Sequence, residues 1–130
     1  MCTYFTWQLL FDGATASESA KESVASGISH EISHQWFGNL VTMEWWDEIW
    51  LNEGFATWVG EYGVSSLFPQ WNVWAQFITN RMASALQPDA LRSTHSVHVP
   101  VLSGMHAHQA LDGISYGKGC AVIRMIANYL

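Results

Sequence analysis

The stretch His30-Glu31-Ile32-Ser33-His34 decides how this chain is interpreted, because two histidines stand four residues apart with a glutamate beside the first. In an α-helix, residues four apart lie about 40° apart around the axis and one turn along it. Both imidazoles can therefore bind one Zn²⁺ at the usual Zn–N distance of about 2.0–2.1 Å. Glu31 projects to the same side of the helix, close to any water on the metal. The motif predicts a metal site on a helix.

A third ligand is available in Asn52-Glu53, which follows His34 after a connector of eighteen residues. Two helices joined by such a connector can pack antiparallel and bring Glu53 to the open side of the ion. Two histidines and one glutamate leave the fourth tetrahedral position free for water. That ligand count is typical of a catalytic zinc rather than a structural one.

The helix that carries the motif is predicted to begin near Thr15-Ala16-Ser17-Glu18, which has the form of a capping box. It is predicted to end near Trp36, just before Gly38-Asn39, since glycine commonly follows a helix C-terminus. Apolar residues recur every four positions along it and form a stripe that is expected to lie away from the ligands: Val24, Ile28, Ile32 and Trp36.

The remaining elements are predicted from periodicity and from turn residues. They are a strand over Tyr4–Phe11, helices over Leu51–Tyr62 and Pro69–Leu86, an extended stretch at Val97–Val99 and a helical pattern from Tyr116 through Leu130. Together they predict an α-rich α+β fold with a short strand portion. Because the chain starts inside a strand pattern and stops inside an apolar helical one, we expect it to be a piece of a larger domain.

Composition excludes several classes of protein. Hydrophobic residues make up 49% of the 130 residues and charged residues only 12%, so the chain is not intrinsically disordered. A net charge of −6 with five basic residues disfavours nucleic-acid binding. No run of eighteen apolar residues is present, which predicts no membrane span. Two cysteines without a signal peptide predict a cytoplasmic protein rather than a disulfide framework.

Over Ile28–Trp58 the sequence resembles the gluzincin zinc aminopeptidases, of the alanyl, puromycin-sensitive and fungal cytosolic types. The similarity is carried by the metal motif and its continuation Gln35-Trp36-Phe37-Gly38-Asn39-Leu40-Val41-Thr42, and by Trp50-Leu51-Asn52-Glu53-Gly54-Phe55-Ala56. Weaker similarity extends to Leu9–Asp12, Leu91–His95 and Ile114–Gly119. The resemblance thus covers nearly the whole chain.

The resemblance implies a role for each matching residue. His30, His34 and Glu53 match the ligands of a single zinc ion, and Glu31 matches the general base. Tyr116 matches the tyrosine that hydrogen-bonds the tetrahedral intermediate. The implied reaction is hydrolysis of the amino-terminal peptide bond of a peptide with a free amino terminus by a metal-activated water.

The resemblance also implies a fold. Residues 1–130 correspond to part of a thermolysin-like zinc peptidase catalytic domain, without the family's amino-terminal β domain and carboxy-terminal helical domain. Those missing domains of a longer chain would be its natural partners.

Some features leave other functions open. The family's Gly-Ala-Met-Glu-Asn motif, whose glutamate binds the substrate's α-amine, does not occur in this sequence. An inactive truncated fragment and a zinc-binding interaction module without turnover are therefore the alternatives. An epoxide-hydrolase-like activity, as in leukotriene hydrolase, is a third, although the run Gly38–Trp46 is more similar to the plain aminopeptidases. His106 and His108 could bind a metal, but we expect them to be exposed.

Overall fold

The computed structural model of the chain describes Tyr4 and residues 6–130, and the regular structure there is almost entirely helical. The α-helices of this part of the chain are α1 (Thr6–Leu9), α2 (Glu18–Ser33), α3 (Ile49–Leu67), α4 (Val73–Gln76), α5 (Ala83–Asp89) and α6 (Gly119–Tyr129). Short 3₁₀ turns lie at Trp46–Glu48, Pro69–Trp71 and Gly104–Ala110, and π-helical turns at Phe77–Met82 and Ile114–Lys118. The α-rich part of the prediction is confirmed.

The strand predicted over Tyr4–Phe11 is wrong where the structure describes it. Thr6–Leu9 form α1, and the Leu10 N–H donates to the Thr6 carbonyl at 2.8 Å. Phe5, which also belongs to the predicted strand, lies outside the described residues. A strand needs a partner for its backbone polar groups, whereas a helical turn satisfies them locally.

The extended stretch predicted at Val97–Val99 does not join a sheet either. The Val99 N–H donates to the Asp47 carbonyl at 3.3 Å, which ties this stretch to the 3₁₀ turn Trp46–Glu48 rather than to a strand. Among the residues that the structure describes, the only β contact is an isolated bridge between Phe37 and Val41. The strand portion of the predicted α+β class is therefore absent from the described part of the chain.

Helix α2 starts where the capping pattern predicts but uses a different cap. The Ser17 side chain, not that of Thr15, accepts a hydrogen bond from the Ala20 N–H at 3.2 Å. The helix ends at Ser33, three residues before the predicted end at Trp36. The predicted apolar stripe does not enter a core in this chain, since Ile32 is 54% exposed and Trp36 58% exposed.

The face of α2 that packs is lined by small and polar residues. A Cβ built on Gly60 of α3 would stand 3.0 Å from the backbone nitrogen of His30 and 3.1 Å from the His30 Cα. The Ser29 hydroxyl donates to the Gly60 carbonyl at 3.0 Å. The backbones of α2 and α3 therefore approach as closely as a glycine permits, and we call this contact the α2–α3 seam.

Helix α3 runs further than predicted in both directions, over Ile49–Leu67 rather than Leu51–Tyr62. Gly63, which directly follows the predicted end at Tyr62, lies inside it. Its opposite side packs on α6, where a Cβ on Gly54 would meet the Ile123 Cδ1 at 2.9 Å and the Gly119 carbonyl carbon at 3.1 Å. These glycines serve helix packing rather than helix termination, a distinction that local sequence does not make.

The helix predicted over Pro69–Leu86 is interrupted. Pro69 begins a 3₁₀ turn, as a proline in a first turn should. Asn72 then adopts a left-handed conformation with φ 55°, and the chain continues through α4, a π-helical turn and α5 to Asp89. Asparagine is among the few non-glycine residues that enter this region readily, so the break follows from its side chain.

The core lies around α3. A cluster of Ile49, Val101, Ala107 and Ala110 covers its start, and Ile114, Cys120 and Ile123 pack beside it. Cys120 is fully buried. Over the described residues, no helix is both long and apolar enough to cross a membrane.

Candidate metal centre

The two histidines of the motif converge at the end of α2. His30 lies in its last turn and His34 is the C-cap residue, where the N–H of His34 donates to the His30 carbonyl at 3.2 Å. Their Nε2 atoms are 3.0 Å apart, and the rings meet edge to face. The helix thus directs the same nitrogen of each ring to one point.

Each ring is oriented through its other nitrogen. His34 Nδ1 lies 2.9 Å from the Phe37 carbonyl oxygen, an acceptor that requires Nδ1 to carry the proton. His30 Nδ1 lies 3.4 Å from the Thr57 hydroxyl of α3, and Thr57 is almost fully buried. Such partners on the outer nitrogen fix the ring and leave the Nε2 lone pair for a metal.

Glu53 completes the group from α3. Its Oε2 lies 3.2 Å from His30 Nε2 and 3.5 Å from His34 Nε2. Burial acts to raise the pKa of Glu53, but the hydrogen bonds and charge of the two histidines outweigh it and lower the pKa to about 2. The hydrogen bond that Glu53 accepts from His34 is in turn the main cause that raises the pKa of His34. The carboxylate is therefore ionised at neutral pH.

These three donor atoms fit one metal ion. A tetrahedral ion about 2.0–2.1 Å from each ligand separates the ligands by about 3.3 Å, and the three separations of 3.0, 3.2 and 3.5 Å bracket that value. Within the described residues, this is the only group of three or more such side chains close enough to hold an ion. Nitrogen and carboxylate ligands suit zinc and similar divalent metals.

Glu31 lies beside this group and is half-buried. Its negative charge acts on both His34 and Tyr116, raising the pKa of each as a minor contribution. Glu31 therefore lies close enough to both groups for its charge to act on them.

Tyr116 comes from the π-helical turn that precedes α6. Its ring centroid is 6.0 Å from that of His30. Burial, followed by the charge and hydrogen bonding of Glu53 and the charge of Glu31, raises the pKa of the phenol well above its usual range. The phenol is therefore a neutral donor at any physiological pH.

His106 and His108 take no part in the site. They lie exposed on the 3₁₀ turn Gly104–Ala110, where His106 Nδ1 contacts the Ser103 hydroxyl at 2.8 Å and His108 Nδ1 the Met105 carbonyl at 3.1 Å. Their expected exposure is confirmed.

Sequence analysis missed a polar line along α3. Glu53, Thr57 and Glu61 stand four residues apart and face α2 at successive turns. Glu61 is buried, which raises its pKa, and contacts the Ser26 hydroxyl at 3.2 Å and Arg81 at 3.6 Å. It borders a polar cavity of about 190 Å³. The signal in the sequence was that polar residues repeat every four positions along α3. That repeat could have predicted that Thr57 and Glu61, in addition to Glu53, face α2.

Comparison with known proteins identifies the class of this site. A family model described as the peptidase family M1 domain matches residues 1–130, the whole chain. The chain belongs to this family, and the resemblance to metallo-aminopeptidases is confirmed.

The relatives are aminopeptidases by name. Over all 130 residues the chain is 48% identical to Aminopeptidase M1-C of Oryza sativa subsp. japonica. It is 46% identical to the alanine/arginine aminopeptidase of Saccharomyces cerevisiae and 45% identical to Aminopeptidase 2 of Candida albicans. The chain spans only 15%, 15% and 14% of the length of these three relatives, respectively.

Proposed function

We propose that this chain carries the catalytic centre of a zinc-dependent aminopeptidase. The observation that carries the proposal is the convergence of His30 Nε2, His34 Nε2 and Glu53 Oε2 within 3.5 Å of one another. The names of the relatives supply the reaction, and the donor set supplies the metal. In this proposal, one Zn²⁺ is held by these three side chains.

When bound in such a site, zinc polarises the scissile carbonyl and lowers the pKa of water at its open position towards about 7. The chain's own residues orient the ligands and offset the charge of the metal. Thr57 and the Phe37 carbonyl hold the two imidazoles in place from behind. Ionised Glu53 offsets the positive charge of the metal.

Glu31 is assigned as the general base. It stands beside His30 on α2, and its charge acts on both sides of the site. In hydrolysis it takes a proton from the attacking water and delivers it to the leaving amine, so that one carboxylate serves both half-reactions.

Tyr116 is assigned as the donor to the developing oxyanion. Its raised pKa keeps the O–H protonated, so it donates a hydrogen bond and never presents a second negative charge beside Glu53. A donor already in place before the negative charge develops costs no reorganisation during the reaction.

The proposed substrate is a peptide with a free amino terminus. This rests on the relatives' printed names, since the residues described here supply no identified partner for the substrate's α-amine. In the proposal, residues 1–130 form part of a thermolysin-like catalytic unit of a longer protein. Exposed apolar side chains such as Leu40 and Val41 support this, because the rest of such a protein would cover them.

A cytoplasmic location belongs to the same proposal. It is supported by Cys120, which is buried and forms no disulfide. Cell fractionation with an antibody against the chain tests it, and recovery from an organelle fraction would contradict it.

The test of function is release of a fluorophore from aminoacyl amides, with and without a zinc chelator. We expect release that the chelator abolishes, that added zinc restores, and that is absent for the amino-acetylated amide. Bound zinc is measured on the same samples, with one ion per chain expected. His30→Ala should lose both zinc and turnover, while His98→Ala, an exposed histidine outside the site, should keep both.

A chimera separates a failed site from missing surroundings. In it, this sequence replaces the matching 130 residues of the yeast alanine/arginine aminopeptidase. Stoichiometric zinc in the isolated chain with turnover only in the chimera would support a catalytic fragment. A folded chimera that binds zinc without turnover would support the alternative of a zinc-binding module, and an absence of zinc in both would contradict the proposal.

A further inference from the structure

The segment that carries Tyr116 is tied at both ends to one short stretch, residues 89–95, which begins with the last residue of α5. We propose that two ion pairs, His95 with Asp112 and Lys118 with Asp89, form a clasp that positions the Tyr116 phenol over the metal centre. The inference rests on the proposed function, because it concerns the residue assigned there as oxyanion donor. His95, Asp112, Lys118 and Asp89 are positioning residues and touch neither substrate nor metal.

The first tie is at the start of the Tyr116 segment. One oxygen of Asp112 accepts hydrogen bonds from the backbone N–H groups of Ile114 at 2.9 Å and Ser115 at 3.1 Å. The Tyr116 N–H donates to the Asp112 main-chain carbonyl at 3.2 Å. Asp112 thus caps the turn that sets the backbone of Tyr116.

His95 holds that cap in place. Its Nε2 lies 2.7 Å from the second carboxylate oxygen of Asp112, and its Nδ1 lies 2.7 Å from the Ser96 carbonyl. Both ring nitrogens face acceptors, so the ring is held best when both carry protons. The charged imidazole then links residue 95 to the turn at residue 112.

The second tie is at the other end. Lys118 Nζ lies 2.8 Å from Asp89 Oδ1, and the Thr94 hydroxyl donates to the same oxygen at 3.2 Å. Thr94 is the neighbour of His95, so both ties return to one short stretch of chain. Tyr116 lies between the two anchored residues, Asp112 and Lys118.

The segment needs such ties because its own backbone is irregular. It forms a π-helical turn, a rare form that occurs frequently at functional sites. Its inner side has no slack, since a Cβ on Gly117 would meet the Ala85 Cβ at 2.9 Å and the Arg81 carbonyl oxygen at 3.0 Å. Packing against Ala85 and Arg81 limits how far the turn can move inward. The two ion pairs limit how far it can shift along residues 89–95.

The ion pairs contribute little to overall stability. The side chains of His95 and Asp112 are 37% and 39% exposed, and pairs at that exposure are weak in water. Variants of the clasp should therefore fold and bind zinc. Their effect should appear in kcat, because a misplacement of about 1 Å at a reacting group can cost up to about 100-fold in rate.

The experiment is a double-mutant cycle of His95→Ala with Tyr116→Phe, measured on aminopeptidase turnover in the active protein or chimera. We expect His95→Ala alone to lower kcat about tenfold, with KM and zinc content nearly unchanged. In the Tyr116→Phe background, the same change should have no further effect, because the group that His95 positions is gone. Equal losses in both backgrounds, or no loss from His95→Ala, would overturn the clasp.

Matched controls come from other surface pairs. His98 pairs with Glu48 at 2.8 Å and is also exposed, so His98→Ala should leave kcat unchanged. Lys118→Met should lower kcat while Lys118→Arg, which can still pair with Asp89, restores it. Lys21→Met, which breaks the 2.8 Å pair with Glu18 far from the site, should have no effect.

Failure of the proposed function has a different signature. If Tyr116→Phe leaves kcat unchanged while Glu31→Gln abolishes turnover, the assignment of Tyr116 is wrong, whatever His95 does. A readout without turnover tests the clasp directly. In NMR, the contact between the Tyr116 and His30 rings should weaken in His95→Ala and persist in His98→Ala, and its persistence in both would overturn the clasp.

Discussion

The α2–α3 seam and the Tyr116 segment face the same site but are held by different forces. At the seam, two backbones meet at Gly60 with no room for a side chain, and the ligands follow from the helix positions. Tyr116 instead lies on a π-helical turn whose ends are tied by partly exposed ion pairs. The three candidate ligand atoms come from the close-packed region. They must stay within a few tenths of an ångström of their ideal positions. The hydrogen-bond donor comes from a segment whose position depends on those ion pairs.

The largest effect is expected from Glu31→Gln on the seam side. Glutamine keeps the shape of the side chain but cannot accept a proton, so kcat should fall by about 10²–10⁴-fold. Zinc content and thermal stability should stay close to the parent, because Glu31 is not a ligand. Turnover at the parent rate would remove Glu31 as the general base and leave the seam with a purely structural role.

Tyr116→Phe tests the other region. Loss of the phenol O–H should lower kcat by about 10²–10³-fold, the usual cost of one oxyanion donor. Zinc affinity should not change, since the phenol lies outside the ligand set. Loss of zinc together with a lower kcat would contradict the separate roles of the two regions, because it would mean that the Tyr116 segment also holds the ligands.

Two glycines give a matched test of packing. Gly60→Ala places a Cβ against the His30 backbone and should lower the free energy of unfolding by about 1–3 kcal/mol, with weaker zinc binding. Gly27→Ala, on the same helix pair, places its Cβ in open space and should raise it by about 0.4–1 kcal/mol. Chemical denaturation and zinc titration measure both. Equal behaviour of the two variants would show that the seam is not tightly packed.

The smallest effect concerns the pH dependence of the clasp. The Ser96 carbonyl and Asp112 raise the pKa of His95, while Lys118 acts weakly in the opposite direction. A raised folded-state pKa means that the stabilisation is complete below the unfolded pKa of about 6.5 and disappears as pH rises through the folded value. Tm measured across this range should decline slightly more in the parent than in His95→Gln. A parallel pH profile in the two proteins would show that His95 is not charged in the clasp.

Local patterns predicted the elements around the metal motif and the last helix well, and the start of the chain poorly. The start of α2, much of α3 and the helical pattern from Tyr116 were all foreseen, because capping residues and apolar runs act over a few positions. The strand predicted over Tyr4–Phe11 was not found at those of its residues that the structure describes, because strand formation depends on a distant partner. The stripe through Ile32 and Trp36 was expected in a core but lies exposed in this chain.

By itself, the sequence indicated that His30 and His34 share one face of a helix, because helical geometry turns a four-residue spacing into a shared face without help from the rest of the fold. The packing of α3 on α2 then brought Glu53 within 3.2 Å of His30. Only the tertiary structure decided which glycines lie in contacts between helices rather than at helix ends. It also decided that the Thr57 hydroxyl contacts His30 Nδ1. It alone brought residues 89–95 to the Tyr116 segment. Those relations join positions at least 17 residues apart, and close packing and ion pairing between distant segments leave no local pattern in the chain.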